Sequence, residues 1–164
     1  MDSVVTRVHP DAWSAMTTPP YHIRRARADD QATIRALVHG EHLDPMTLDW
    51  PNFLVAEGDG GRVVGIGQIK PLRGARELGS LVVVPDWRER GVGAALIHAL
   101  MADEPGPLFL VCRERRVPYY RKFGFREIGL GETQGALRVK AALMRAAGLV
   151  GLRGAVMRWD RPAV

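Results

Sequence analysis

The chain has 164 residues, 46% of them hydrophobic, which is enough for one domain with a buried core and gives no signal of a second. No apolar run is long enough to span a bilayer, the start lacks the basic and apolar blocks of a secretory signal, and Cys112 as the sole cysteine excludes an internal disulfide or a cysteine-based metal cluster. The net charge of +5 rests on arginine, since Lys70, Lys122 and Lys140 are the lysines among 23 basic residues; these are scattered, which suits a solvated surface with a few arginines recruited to a pocket better than a nucleic-acid or membrane face. The expectation is a soluble cytoplasmic protein without a bound metal.

Residues 1–20 mix Pro10, Pro19 and Pro20 with polar residues and read as an extended arm, with Trp13 and Met16 able to pin it to the body or to a partner subunit, so a homodimer stays open. The single domain is expected over 21–164. His22 to Arg27 reads as a first strand, and Asp29 or Asp30 can cap a helix carrying Ile34, Leu37 and Val38 on one face. Asp44-Pro45 is a cap and first-turn pair for a short second helix; His42, Asp44, Asp49 and Trp50 lie close in sequence but match no metal spacing.

Two strands, Asn52 to Glu57 and Arg62 to Lys70, flank Gly58-Asp-Gly-Gly61, a hairpin signal. Gly65 and Gly67 leave room on the second strand for a ligand or a neighbouring backbone. Gln68 and Lys70 share a face, as candidate substrate contacts or as a polar outer surface.

Glu77 to Leu96 then reads as strand, glycine-containing turn and helix. Leu81 to Val84 is a buried-strand run ended by Pro85, and Arg88-Glu-Arg-Gly-Val-Gly93 precedes the helical pattern Leu96, Ile97, Leu100, Met101. A helix start offers unpaired amides and a positive dipole end, glycines let them approach a phosphate, and Arg88 or Arg90 adds charge, so a diphosphate fits. Taken alone, the turn is equally consistent with binding nothing.

Leu108 to Cys112 is a short buried strand with Cys112 as a small core residue. Pro118 to Phe125 forms a short helix ended at Gly124, Phe125 to Ile128 a strand, 135–147 an amphipathic helix suited to packing over a cleft mouth, and Ala155 to Asp160 a last strand.

Two of these stretches resemble one family. Arg88-Glu-Arg-Gly-Val-Gly93 satisfies the Arg/Gln-x-x-Gly-x-Gly/Ala turn of the GNAT acyl-CoA N-acyltransferase superfamily, and Tyr119-Tyr-Arg-Lys-Phe-Gly-Phe125 resembles its second motif; the layout from about 22 to 160 agrees. Glu77 to Pro85 and Leu108 to Phe125 are also similar to the acyltransferase domain of bacterial N-acetylglutamate synthase. The resemblance implies a mixed α/β fold whose splayed, mostly antiparallel central sheet is flanked by helices. The sheet would open between the Glu77 to Val84 and Leu108 to Cys112 strands.

Acetyl-CoA would enter that cleft as co-substrate, its pantetheine pairing with Val82, Val83 and Val84. Its diphosphate would meet Arg88, Arg90, Gly91, Val92, Gly93 and Ala94, and an amide near Val82 would polarise the thioester carbonyl. The implied leaving-group acid is Tyr120, with Tyr119 in the core. Glu77 aligns with a carboxylate that some relatives place near the amine; it either serves as a general base through water or pairs at the surface with Arg76 or Arg73. The implied activity is acetyl transfer to a primary amine of a small molecule, an amino acid among the candidates. The alternatives are a protein N-terminus or lysine as acceptor, or a non-catalytic acyl-CoA-binding or nucleic-acid-binding module.

Overall fold

A computed structural model describes residues 20–148 and 153–163. The expected N-terminal arm lies outside them except for Pro20. Seven strands form one sheet in the order β1-β2-β3-β4-β5-β7-β6. They are β1 (Tyr21–Arg25), β2 (Phe53–Gly58), β3 (Val63–Leu72), β4 (Ala75–Val83), β5 (Leu108–Arg113), β6 (Arg126–Ile128) and β7 (Gly154–Trp159). Four helices cover it: α1 (Gln31–Gly40), α2 (Val92–Ala102), α3 (Val117–Arg121) and α4 (Gly135–Gly148). Every neighbouring pair of strands is antiparallel except β4 and β5, which run parallel. The sheet is therefore mixed and mostly antiparallel, as the resemblance implied.

β3 is central, and Val64 to Lys70 is buried throughout because helices close on both of its faces. On one face α2 buries Val92, Leu96, Ile97 and Leu100, each contributing roughly 1.5–3 kcal/mol if fully removed from water. This helix takes up the room left by the β3 glycines: a Cβ on Gly65 would stand 2.9 Å from Val92 Cγ1, and one on Gly67 3.0 Å from Leu100 Cδ1. The space is filled by side chains of the helix, so no ligand enters it, while the neighbouring backbone does come close, the Val82 carbonyl lying 3.3 Å from the same position at Gly65. On the opposite face α1 packs Ile34 and Val38 against Phe53, Val55, Ile66 and Val82. Further along the sheet, α4 sets Leu137 and Ala141 against Phe109 and Val156.

The expected helix at Asp44-Pro45 does not form. His42 and Thr47 adopt left-handed backbone (φ 53° and 59°), which no continuous right-handed helix accommodates. Asp44 Oδ1 instead accepts the Met46 amide at 3.0 Å, a turn in which the side chain replaces a helical carbonyl. Gln31 ties this loop to α1, donating to the Leu48 carbonyl at 2.7 Å and accepting from the Trp50 amide at 3.0 Å.

β4 and β5 share one ladder pairing, Glu77 with Phe109, beyond which they diverge. β4 also carries an extra residue relative to β3: Ile66 pairs with Val82 and Gln68 with Gly79, with Ser80 in left-handed backbone at φ 49°. Such a bulge increases the local twist and re-aims side chains. Here it sits where β4 leaves β5, and the sheet opens into a cleft.

Candidate active site

The cleft edge of β4 is built by alternation. The Val84 amide donates to the Val64 carbonyl at 3.0 Å, which makes Val84 and Val64 a hydrogen-bonded pair; Val83 and Gly65 are then a non-hydrogen-bonded pair. The N–H and C=O of Val83 consequently face away from β3, toward the cleft. Val82 faces Ile66 in the ladder, so the cleft-facing amides near it are those of its neighbours, Val83 among them. The Val83 carbonyl accepts Arg88 Nε at 3.0 Å, and Arg88 also pairs with Glu41 at 2.7 Å.

Past Pro85 the chain turns once and enters α2 through Gly91, whose φ of 80° is left-handed and costs glycine nothing. The first helical hydrogen bond runs from Ala95 to the Gly91 carbonyl at 2.9 Å. The amides of Val92, Gly93 and Ala94 precede it and point out of the helix start, an anion-binding arrangement. Arg90 lies over the Trp87 ring at 5.5 Å, with its guanidinium beside this turn. The amides, the free strand edge and the arginines fit a diphosphate-bearing thioester.

Across the cleft, α3 presents Tyr119 and Tyr120 edge to face with centroids 5.3 Å apart. Tyr120 packs against Phe125, and burial pushes its phenol up to about 12. Burial also raises Tyr119, but that residue is not simply core as expected: a Cβ on Gly93 would meet its hydroxyl at 3.0 Å, so the hydroxyl sits at the start of α2. Nothing local in the sequence marks this contact. Cys112, half-buried, has its thiol pushed up to about 11 mainly by burial, which keeps it protonated and unsuited to nucleophilic attack.

Glu77, Gln68 and Lys70 come together on one face of the sheet. Lys70 and Glu77 are direct cross-strand partners, and Gln68 lies two residues from Lys70. All three are buried, at 2%, 0% and 2% exposure for Glu77, Gln68 and Lys70, so the polar outer surface is excluded. The surface pairing of Glu77 with Arg76 or Arg73 is excluded as well. Arg76 points to the other side of β4 and binds Glu104, while Glu77 Oε1 accepts Lys140 Nζ of α4 at 2.6 Å.

Lys140 also reaches Asp44 Oδ2 at 3.0 Å, as does Lys70 at 3.0 Å. Two ammonium groups and two carboxylates thus form one cluster beneath α4. Burial works against both Asp44 and Lys140, and the partners outweigh it. The Met46 amide, Lys140 and Lys70 bring Asp44 down to about 2, and Glu77 with Asp44 raises Lys140. The Lys70 stem lies across Gly79, whose Cβ would stand 3.1 Å from Lys70 Cε. Gln68 Nε2 donates to Ser80 Oγ at 2.9 Å. Among the described residues, Gln68 Oε1 and Glu77 Oε2 are buried without a partner.

Asp44, Ser80 and Lys140 were not legible as members of this site, because they come from a loop, a bulge and a distant helix. Among the described residues no group of three or more His, Cys, Asp or Glu side chains is placed to hold a metal ion, and no helix is long and apolar enough to cross a membrane.

A family model described as an acetyltransferase (GNAT) domain matches residues 49–127, from the turn before β2 through the second motif. No curated protein matches the sequence significantly. Among solved structures, the chain is similar to N-acetylglutamate synthase from Neisseria gonorrhoeae complexed with coenzyme A and L-arginine, at 18% identity and TM-score 0.68 over 87% of this chain; it spans 34% of that one. It is similar to Rv2747 from Mycobacterium tuberculosis in complex with CoA and NLQ, at 20% identity and TM-score 0.69 over 86% of this chain and 99% of that one. A GNAT family acetyltransferase from Brucella melitensis in complex with acetyl-CoA shares 26% identity over 66% of this chain and 84% of that one, with TM-score 0.51. Residues 49–127, which include the glycine turn and both tyrosines, thus match a GNAT acetyltransferase domain, and the chain shares its fold with these acetyltransferase structures.

Proposed function

We propose that the chain transfers an acetyl group from acetyl-CoA directly to a primary amine of a small molecule. The observation that carries this reading is that β4 turns the Val83 amide away from β3, just before the amides at the start of α2, while Glu77 lies further back on the same strand where β4 still pairs with β5. In this reading the amides of Val92, Gly93 and Ala94, with Arg88 and Arg90, hold the diphosphate, and a cleft-facing β4 amide near Val82 polarises the thioester carbonyl. The acceptor nitrogen bonds to that carbonyl carbon, the carbon–sulfur bond breaks, and the thiolate departs. Glu77 accepts the proton the amine must lose, directly or through water.

Tyr120 stabilises the thiolate. A phenol raised to about 12 facing a thiol near 8.5 makes full proton transfer uphill by about 5 kcal/mol. Its contribution is therefore a hydrogen bond to the departing sulfur, from a group that stays protonated throughout the working range. The buried acceptor face beneath α4 favours a small molecule over a protein N-terminus, which needs an open groove. The likeness to the Neisseria N-acetylglutamate synthase puts amino acids and their derivatives among the acceptors to try.

The test is thiol release from acetyl-CoA over a panel of amines and peptides. Acceptor-dependent release with free amines and none with peptides is expected. Tight acetyl-CoA binding without any acceptor-dependent release would overturn the reading.

A further inference from the structure

The buried face beneath α4 has its charges matched and its acceptors in excess. Asp44 and Glu77 balance Lys70 and Lys140, while Arg76 is committed to Glu104 and Arg73 and Arg138 are exposed. What lacks partners among the described residues is a pair of oxygens, Glu77 Oε2 and Gln68 Oε1, on residues that are 2% and 0% exposed. Orphaned buried acceptors are costly, and a native site leaves them so where a ligand supplies the donors. The two lie on the same face of adjoining strands, Glu77 opposite Lys70 and Gln68 two residues along, beside the bulge where the cleft opens.

Resting on the acetyltransferase reading, we infer that Glu77 Oε2 and Gln68 Oε1 each take one N–H of the acceptor nitrogen, and that the acceptor is a primary amine with no carboxylate near it, such as an amino-acid amide or a diamine. A neutral primary amine has two N–H donors and one lone pair. Two acceptors holding the donors leave the lone pair as the only free direction, and at the cleft that direction is the thioester. A secondary amine can satisfy only one of the two oxygens. A carboxylate next to the nitrogen would bring a second negative charge against Glu77 and Asp44, whose counter-charges are already used.

Lys140 fits the same account. Its ammonium already sits on the other oxygen of Glu77. The roof of the site thus supplies the counter-charge that steadies this carboxylate, while Oε2 is left with a partner for the acceptor to supply.

The experiment measures kcat/KM for thiol release from acetyl-CoA with the free amino acids, their α-amides, their N-methylated amides and linear diamines. The best acceptor is expected to be an amide or diamine, at least ~10-fold above the best free acid and above its own N-methyl form, the penalty expected of an unpaired buried acceptor. A free acid such as L-glutamate as best acceptor, or an N-methyl amine equal to its parent, overturns this inference and leaves the acetyltransferase reading standing. No release with any amine, with acetyl-CoA still bound, overturns both.

Gln68→Leu should lower kcat/KM for the best acceptor ~10-fold with the KM for acetyl-CoA unchanged. In Gln68→Leu the preference for the parent amine over its N-methyl form should also shrink, which a purely structural role for Gln68 does not predict. Equal turnover in wild type and Gln68→Leu overturns the two-oxygen seat. If Gln68→Leu fails to fold, the amine panel on the wild-type chain still decides.

Discussion

Lys140 Nζ stands 2.6 Å from Glu77 Oε1, joining α4 to β4 across 63 residues of sequence. Removing the ammonium leaves the buried carboxylate short of a partner and unties the helix that roofs the face. Lys140→Met should cost about 1–3 kcal/mol, less than for a fully enclosed pair because Lys140 is partly exposed. In a chain of this size that is about 3–10 °C in Tm. A cycle with Glu77→Gln should show the two effects to be non-additive. Additive losses in thermal denaturation would mean that the contact contributes nothing.

Asp44 links stability to acid. Its carboxyl is held at about 2 against an unfolded value near 3.8, so it contributes stability above the unfolded value, and that contribution is lost as pH falls through the folded one. Asp44→Asn should therefore be less stable than wild type near neutrality, and the gap should close between about pH 4 and pH 2. Melting curves over that range check it. A gap of constant size would show that the ion pairs are not its source.

Tyr120→Phe should lower kcat by about 10- to 100-fold, the loss of one hydrogen bond to a charged sulfur, with the KM for acetyl-CoA little changed. Because burial has pushed the phenol up to about 12, the wild-type rate should show no alkaline fall from this group below about pH 11. A wild-type alkaline limb near pH 10 that vanishes in Tyr120→Phe would contradict the environment described for the ring.

Two glycines should separate binding from packing. Gly91→Ala forces a side chain into left-handed backbone at the entry to α2, costing about 1–2 kcal/mol, and should raise the KM for acetyl-CoA by tilting the amides of Val92 to Ala94. Gly65→Ala places a Cβ 2.9 Å from Val92 Cγ1 and should cost about 1–3 kcal/mol through overpacking, with the KM nearly unchanged in whatever protein folds. Steady-state kinetics beside thermal melts read the two effects apart. An unchanged KM in Gly91→Ala would remove the turn from the cofactor site.

What the sequence by itself determined is local. Alternation and apolar runs located the strands, the 3.6-residue period located α1, α2 and α4, and the glycine at 124 marked a helix end that the structure shows in left-handed backbone at φ 87°. Each of these depends on neighbours a few residues away, which a single sequence displays in full. The helix expected at Asp44-Pro45 failed for a partly non-local reason: one oxygen of Asp44 takes the Met46 amide in a turn while the other meets Lys70 and Lys140 from distant elements.

The tertiary structure alone decided which charges meet and what fills the spaces between elements. Alternation could place Gln68 and Lys70 on one face but could not say that α4 would bury it. It showed the emptiness of Gly65 and Gly67 but not that α2 would occupy it. Lys140, Asp44 and Glu77 come from a helix, a loop and a strand, and their meeting depends on how those elements pack. A bulge at Ser80 and the single pairing of Glu77 with Phe109 open the sheet at that place, because there β4 must follow the twist of β3 or stay with β5, and it follows β3.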